Sequence, residues 1–163
     1  MTLLRHRFTG VALAAALVAA TIFVAAPPAA AHTAREACGS GYSPVAKPRA
    51  IKTDSGVRYG KVHLLYNSGN GKNCVVAIKE RFHGIKTHAD AYLKIRGNPG
   101  PWDGWWRDHG DFYHYAGGNP SPTVKYAADK CVQFFGRIYS KTTADGLGTM
   151  AEGGRTKWGN CGS

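Results

Sequence analysis

Residues 57–82 read VRYGKVHLLYNSGNGKNCVVAIKERF, and this stretch decides the fold class. Two apolar runs, 57–66 and 74–82, flank the polar segment 67–73, which contains an Asn-Gly pair suited to positive φ. The pattern predicts a β-hairpin. In the first half of the second run, apolar residues occupy both alternating faces, so we expect that strand to be buried on both sides and central in its sheet.

The rest of the chain repeats this pattern of short runs with a period of two. Residues 89–96 (ADAYLKIR) set Ala91, Leu93 and Ile95 against more polar neighbours, which is typical of a strand with one solvated face. Further strands are predicted at 111–116, 123–127, 130–139 and around 157–161. We expect an all-β fold of about six to eight strands, a small β-sandwich or a partly open β-barrel. Residues 37–51 are predicted to be coil, and the Gly-rich stretch 142–154 to be mobile.

The first 31 residues carry the features of an export signal. Arg5 and Arg7 precede an apolar run over 10–26, and small residues follow it up to Ala31. We predict a signal peptide over 1–31 that is cleaved after Ala31, leaving 32–163 as a single secreted domain without a membrane segment. An uncleaved N-terminal anchor is the alternative. Cleavage removes two arginines and no acid, so the net charge changes from +11 to +9.

Length and charge limit the classes of function. The chain has 163 residues, 21 Lys+Arg and 10 Asp+Glu, which describes one small basic domain and excludes a multidomain enzyme. The basic residues are spread singly, without a run or a reading motif, so we expect no specific nucleic-acid recognition. The positive charge favours anionic partners, which outside a cell are wall polymers or polysaccharides. We expect a monomer.

Four cysteines, Cys38, Cys74, Cys131 and Cys161, lie in the exported part of the chain. An even number in an oxidising compartment predicts two disulfides and leaves no thiol for catalysis. Three pairings are possible, and we favour Cys38 with Cys74 and Cys131 with Cys161 because each bridge then closes one half of the chain. The wide spacing matches no zinc motif.

Aromatic, acidic and histidine residues are most concentrated in residues 99–118, PGPWDGWWRDHGDFYHYAGG. Flat aromatic rings suit stacking on sugars, and neighbouring polar groups can bind hydroxyls. Packing of the same rings in the core is the alternative, and it is the more common role of such residues in a small β-domain. The candidate ligand-binding residues are Trp102, Trp105, Trp106, Arg107, Tyr113 and Tyr115.

The same segment contains acids and histidines, namely Asp103, Asp108, His109, Asp111 and His114. Their spacing matches no metal motif, and strand alternation divides them between two faces, so we expect no metal site and no cofactor. His109 with Asp108 or Asp111 is the candidate dyad of a small secreted hydrolase. Because no nucleophile elbow, HExxH or phosphate-loop motif accompanies it, we favour a protein without enzymatic activity and assign no catalytic residue. A cationic secreted inhibitor is a further hypothesis.

Short motifs along the exported part resemble the spore-associated protein A family of filamentous actinomycetes. They are ACGSGY at 37–42, YNS and GKNCVV within 66–76, YAG at 115–117, KCV at 130–132 and NCG at 160–162. The sequence QFFG at 133–136 departs from the Trp-Gly-Gly usual in that family, and the middle segment is richer in Lys, His and Trp. The resemblance implies a small secreted protein associated with spores or aerial growth, without an established enzymatic activity. We expect its positive charge and aromatic segment to retain it at the spore or cell-wall surface.

Overall fold

The computed structural model describes residues 32–162, so the predicted signal peptide lies outside the described residues. Within that range the chain forms one short helix and ten strands. Their bounds are α1 Ala34–Cys38, β1 Ser43–Pro44, β2 Arg49–Lys52, β3 Arg58–Asn67, β4 Lys72–Lys79, β5 Thr87–Ile95, β6 Trp106–Phe112, β7 Tyr115–Gly117, β8 Val124–Tyr126, β9 Val132–Tyr139 and β10 Met150–Gly159. The described range contains no helix with the length and apolar character needed to span a membrane.

All ten strands pair antiparallel in one sheet. Its order is β6-β5-β9-β10-β2-β3-β4-β7, with β1 beside β3 and β8 beside β4. The sheet curls on itself and encloses one core. Residues from four strands are fully buried in this core: Val62 of β3, Val75 of β4, Leu93 of β5 and Phe134 of β9. The predicted all-β fold is confirmed, in the form of a partly open barrel.

The two ends of the sheet meet at a seam between β6 and β7. A carboxylate oxygen of Asp108 on β6 accepts a hydrogen bond of 2.6 Å from the backbone N–H of Gly117 on β7. Near the seam, the fully buried Lys79 donates to the carbonyl oxygens of Ile85 (2.6 Å) and Phe112 (2.9 Å). Desolvation lowers the pKa of Lys79 to about 8, against a smaller opposing effect of Asp111. Side chains therefore close the barrel where the strand ladder ends.

β4 is buried on both faces, as the sequence predicts. It pairs with β3 along one side and with β7 and β8 along the other. Its outward residues Cys74, Val76 and Ile78 form a second core with α1, whose Ala34 and Ala37 face them. Burial on both faces explains why this strand is apolar without alternation.

Two disulfides fix the ends of elements. Cys38 at the end of α1 is bonded to Cys74 on β4, and Cys131 before β9 is bonded to Cys161 after β10. Both bridges agree with the pairing favoured from the sequence. The first bridge holds the helix against the barrel, and the second joins the neighbouring strands β9 and β10 at one end of the pair.

Several predicted boundaries are wrong. The supposed coil 37–51 contains part of α1, β1 and most of β2, and the supposed mobile stretch 142–154 contains the start of β10. The predicted strand 111–116 is interrupted by a turn, which separates β6 from β7. Residues 32–162 therefore form ten strands, more than predicted, because short strands with few buried residues escape a periodicity search.

Candidate functional site

The aromatic segment begins in the loop that joins β5 to β6. The two strands pair from Thr87 and Phe112 to Leu93 and Trp106, and the loop folds back on itself beyond that point. Backbone hydrogen bonds of 2.8 and 3.2 Å join Trp102 and Trp105. Between them, Asp103 and Gly104 turn the chain at positive φ values of 50° and 82°. The loop is thus ordered by its own backbone.

Basic side chains lie over the rings of this segment. The Nζ atom of Lys125 is 4.1 Å from the centre of the Trp106 ring, and that of Lys94 is 5.4 Å from the Trp105 ring. The guanidinium carbon of Arg107 is 5.5 Å from the Trp102 ring. Exposed contacts of this kind contribute about 0.5–1 kcal/mol each. We call these six residues the basic aromatic surface: Lys94, Trp102, Trp105, Trp106, Arg107 and Lys125.

A groove of about 590 Å³ crosses this surface, and we call it the tryptophan groove. One wall is the β5–β6 loop, and the other is the proline-containing loop before β8. Trp102 is 51% exposed, whereas Trp106 is half-buried and packs against the main core. The lining residues are Pro101, Trp102, Trp106, Arg107, Pro120, Ser121, Pro122 and Lys125.

The structure divides the six predicted ligand-binding residues into two groups. Four of them, residues 102 and 105–107, lie on the basic aromatic surface. Tyr113 and Tyr115 lie beyond the opposite end of β6, where Tyr113 is 55% exposed and Tyr115 packs against the second core. Lys94 and Lys125 join the first group in space, although Lys125 is distant in sequence and only the fold reveals it.

A buried carboxylate supports the surface from β5. Asp90 is fully buried, and its Oδ1 accepts hydrogen bonds from Nη2 (2.9 Å) and Nε (3.3 Å) of Arg107. The same oxygen lies 3.3 Å from Nε2 of His88. Oδ2 of Asp90 is also buried, and no hydrogen-bond partner reaches it within the described part of the chain. The outer face predicted to be solvated is half-buried at Tyr92 and Lys94 and exposed only at Arg96, one residue beyond β5.

Asp111 anchors the loop after β9 to the same face. Its carboxylate accepts hydrogen bonds from the backbone N–H (3.0 Å) and the hydroxyl (3.1 Å) of Thr143 and lies 3.2 Å from Nδ1 of His88. Burial would raise the pKa of Asp111, but the hydrogen bonds from Thr143 and His88 hold it below its ordinary value. His88 and Asp90 were not predicted as site residues. The only sequence signal for them is that they occupy the same face of the strand as Tyr92.

Of the two pairs predicted for a hydrolase, His109 with Asp108 is divided between the faces of β6, whereas His109 and Asp111 share one face. Asp108 and His109 are neighbours on β6 and therefore point to opposite faces of the sheet. Asp108 binds Gly117 across the seam, and Asp111 faces His88. Both carboxylates thus hold elements together.

Comparison with curated proteins shows a similarity that extends along most of the chain. Spore-associated protein A of Streptomyces coelicolor is 35% identical over 128 residues, which cover 74% of this chain and 73% of that protein. No protein-family model matches the chain. No solved structure matches it either.

Proposed function

The chain belongs to the spore-associated protein A family, and we propose that it is a spore-associated protein that attaches to anionic surface polymers through its basic aromatic surface. The identity over about three quarters of both chains confirms the resemblance seen in the motifs. The name of the relative supports a location at the spore, and the predicted export signal supports an extracellular one.

The tryptophan groove is the observation that carries this proposal. The exposed Trp102 ring offers a flat apolar face to a sugar ring. Arg107 and Lys125 beside it supply cations for carboxylate or phosphate groups of the same polymer. A second cavity of about 410 Å³, bordered by Val45 and Asp129, has no lysine or arginine of the described chain in its lining. This cavity therefore lacks the combination of an aromatic ring with neighbouring cations.

The groove is also preorganised. Asp90 holds Arg107 through Nε and Nη2, which leaves Nη1 of that guanidinium for a ligand. Pro101, Pro120 and Pro122 stiffen the two walls. A rigid site loses less conformational entropy when a ligand binds.

Retention on purified spore and wall material tests the proposal. The protein is applied at low and high salt while tryptophan fluorescence is followed. We expect Trp102→Ala to weaken binding about tenfold, which corresponds to about 1.4 kcal/mol, because one stacking ring is lost. Lys125→Gln should weaken binding mainly at low salt, because exposed charges are screened at high salt.

Tyr113→Ala is the matched control. Tyr113 is as exposed as Trp102 and belongs to the same sequence segment, but it lies away from the groove. Its removal should leave retention unchanged. Equal losses in Trp102→Ala and Tyr113→Ala, or no retention of the unmodified protein at any salt concentration, would contradict the proposal.

A further inference from the structure

Three histidines from distant parts of the chain meet near the end of β6 that is opposite to the β5–β6 loop. His32 precedes α1, His83 lies between β4 and β5, and His114 lies in the turn between β6 and β7. The ring centres are 4.3 Å apart for His32 and His114, 4.6 Å for His83 and His114, and 5.4 Å for His32 and His83. One ring nitrogen of each lies within 4.8 Å of the other two. We call these residues the histidine cluster.

The distances within the cluster suit a shared cation. Nδ1 of His32 and Nε2 of His83 are 3.3 Å apart. Two nitrogens bound to one tetrahedral ion at about 2.0–2.1 Å are separated by about 3.3–3.4 Å. Nδ1 of His114 is buried, and no group among residues 32–162 forms a hydrogen bond with it. Two nitrogens of the cluster thus have the spacing of metal ligands, and a third, Nδ1 of His114, has no hydrogen-bond partner among the described residues.

We propose that the histidine cluster binds a late first-row divalent cation, Zn²⁺ or Cu²⁺, through three imidazole nitrogens. Imidazole is a common ligand of both ions, and three protein ligands leave a coordination position open. The sequence predicts no metal site because that prediction considers acids and histidines within 99–118. Only His114 belongs to that segment, and the other two ligands are brought to it by the fold.

The predicted cleavage after Ala31 would add a fourth nitrogen. His32 would then carry the free α-amino group, and this amine and Nδ1 of the same residue can bind one ion as a six-membered chelate. Nδ1 is the atom of His32 that faces His83. The capping box of Thr33 and Glu36, with hydrogen bonds of 2.7 and 3.1 Å, fixes the backbone directly after His32. Four nitrogen donors favour Cu²⁺ over Zn²⁺.

Another group of potential ligands, His88, Asp90 and His109, is less suitable. Its ligand atoms also lie within 4.8 Å of one another. However, Arg107 already binds Asp90 at 2.9 Å, and an incoming cation would have to displace that guanidinium. The histidine cluster has no such competitor bound to its nitrogens among the described residues.

Metal titration of the exported protein tests the proposal. The full chain is expressed in an exporting host, the N-terminus of the product is read by mass spectrometry, and bound metal is removed with a chelator. Calorimetry with Zn²⁺ and Cu²⁺ should then show one ion per chain. We expect His83→Gln and His114→Gln each to weaken binding more than about 100-fold, beyond the usual effect of removing an outer-shell partner. His63→Gln, at a half-buried histidine of β3, is the control and should bind like the unmodified protein.

Two further measurements keep the test independent of the stability of the variants. On addition of Zn²⁺, the side-chain nitrogen resonances of His32, His83 and His114 should shift, while those of His63 and His109 should not. A chain that retains one extra residue before His32 should bind Cu²⁺ at least about tenfold more weakly than one that begins at His32. Equal Cu²⁺ affinity would exclude the amine from the site. Absence of saturable binding of both ions, or unshifted resonances of the three histidines, would overturn the proposal.

Discussion

Asp90 is the residue on which the outer face of β5 depends. It is fully buried, its Oδ1 holds Arg107, and the strand register places Arg137 of β9 opposite it. A buried charge that loses its partner is strongly destabilising, because the remaining charge keeps its desolvation cost. The same contact also fixes the guanidinium that borders the tryptophan groove.

We therefore expect Asp90→Asn to lower the free energy of unfolding by about 3 kcal/mol. Urea denaturation followed by circular dichroism measures this change. Asp54→Asn, at an exposed aspartate, is the control and should stay within about 0.5 kcal/mol of the unmodified protein. Similar losses in both variants would show that burial of Asp90 is not the cause.

The lowered pKa of Asp111 makes the free energy of unfolding depend on pH in the acidic range. Because the folded-state pKa of Asp111 is lowered, its stabilising effect is complete above its unfolded pKa, near 3.8, and is lost as the pH falls through the lower folded value. The free energy of unfolding of Asp111→Asn should be lower than that of the unmodified protein at neutral pH, and the difference should shrink below pH 3.8. Denaturation series from neutral to strongly acidic pH measure it. A difference that is constant with pH would contradict this assignment.

The exposure of individual tryptophans could not be predicted from the sequence. Trp102 and Trp106 both lie in an aromatic stretch beside Gly and Pro, yet one is exposed and the other packs on the core. Trp106 points inward because it pairs with the buried Leu93. Strand register decides this, and register depends on the partner strand as well as on the local sequence.

At the scale of elements, the side chain of Asp108 makes the direct hydrogen bond across the seam between β6 and β7. Asp108→Ala removes the charge-assisted hydrogen bond to Gly117, which should cost about 1.5–3 kcal/mol. Amide hydrogen exchange should accelerate at Gly117, while the amide of Val62, in the β2–β3–β4 region, should change little. Asp108→Asn retains an acceptor oxygen and should cost less. Unchanged exchange at Gly117 in Asp108→Ala would show that the seam is closed by other contacts.

Elements were predicted well where buried residues are dense. The β3–β4 hairpin has apolar residues on both of its strands and a turn of suitable chemistry, so its position follows from the sequence. β2 buries only Ile51 fully, and β10 is rich in glycine. Gly153 is required there because a Cβ atom would clash with the carbonyl oxygen of Ala50 on β2. A close approach of two backbones leaves no hydrophobic pattern to detect.

At the scale of the whole molecule, the two disulfides supply a large part of the stability. They close loops with sequence separations of 36 and 30 residues. In the chain-entropy model each contributes about 3–4 kcal/mol. Replacing either cysteine pair by serine should lower the free energy of unfolding by about that amount, as measured by denaturation without reductant. Addition of reductant should then lower the stability of each single-bridge variant further, and insensitivity to reductant would contradict a stabilising role.

Fold class and cysteine pairing were accessible from the sequence, but the order of strands was not. Each predicted bridge joins cysteines that are neighbours along the chain. The sheet instead pairs β5 with β9 and β10 with β2, which are far apart along the chain, and its curl brings the two end strands β6 and β7 together. The histidine cluster depends on the same closure, because its three residues lie in separate loops. No local pattern encodes such an arrangement.

The β5–β6 loop leaves the barrel from two adjacent strands and returns to the same pair. Its length and composition can therefore change during evolution without moving the strands beneath it, since longer surface loops cost little free energy. Under the proposed function, exchanging this loop between members of the family would change which polymer is bound while leaving the strands beneath it in place.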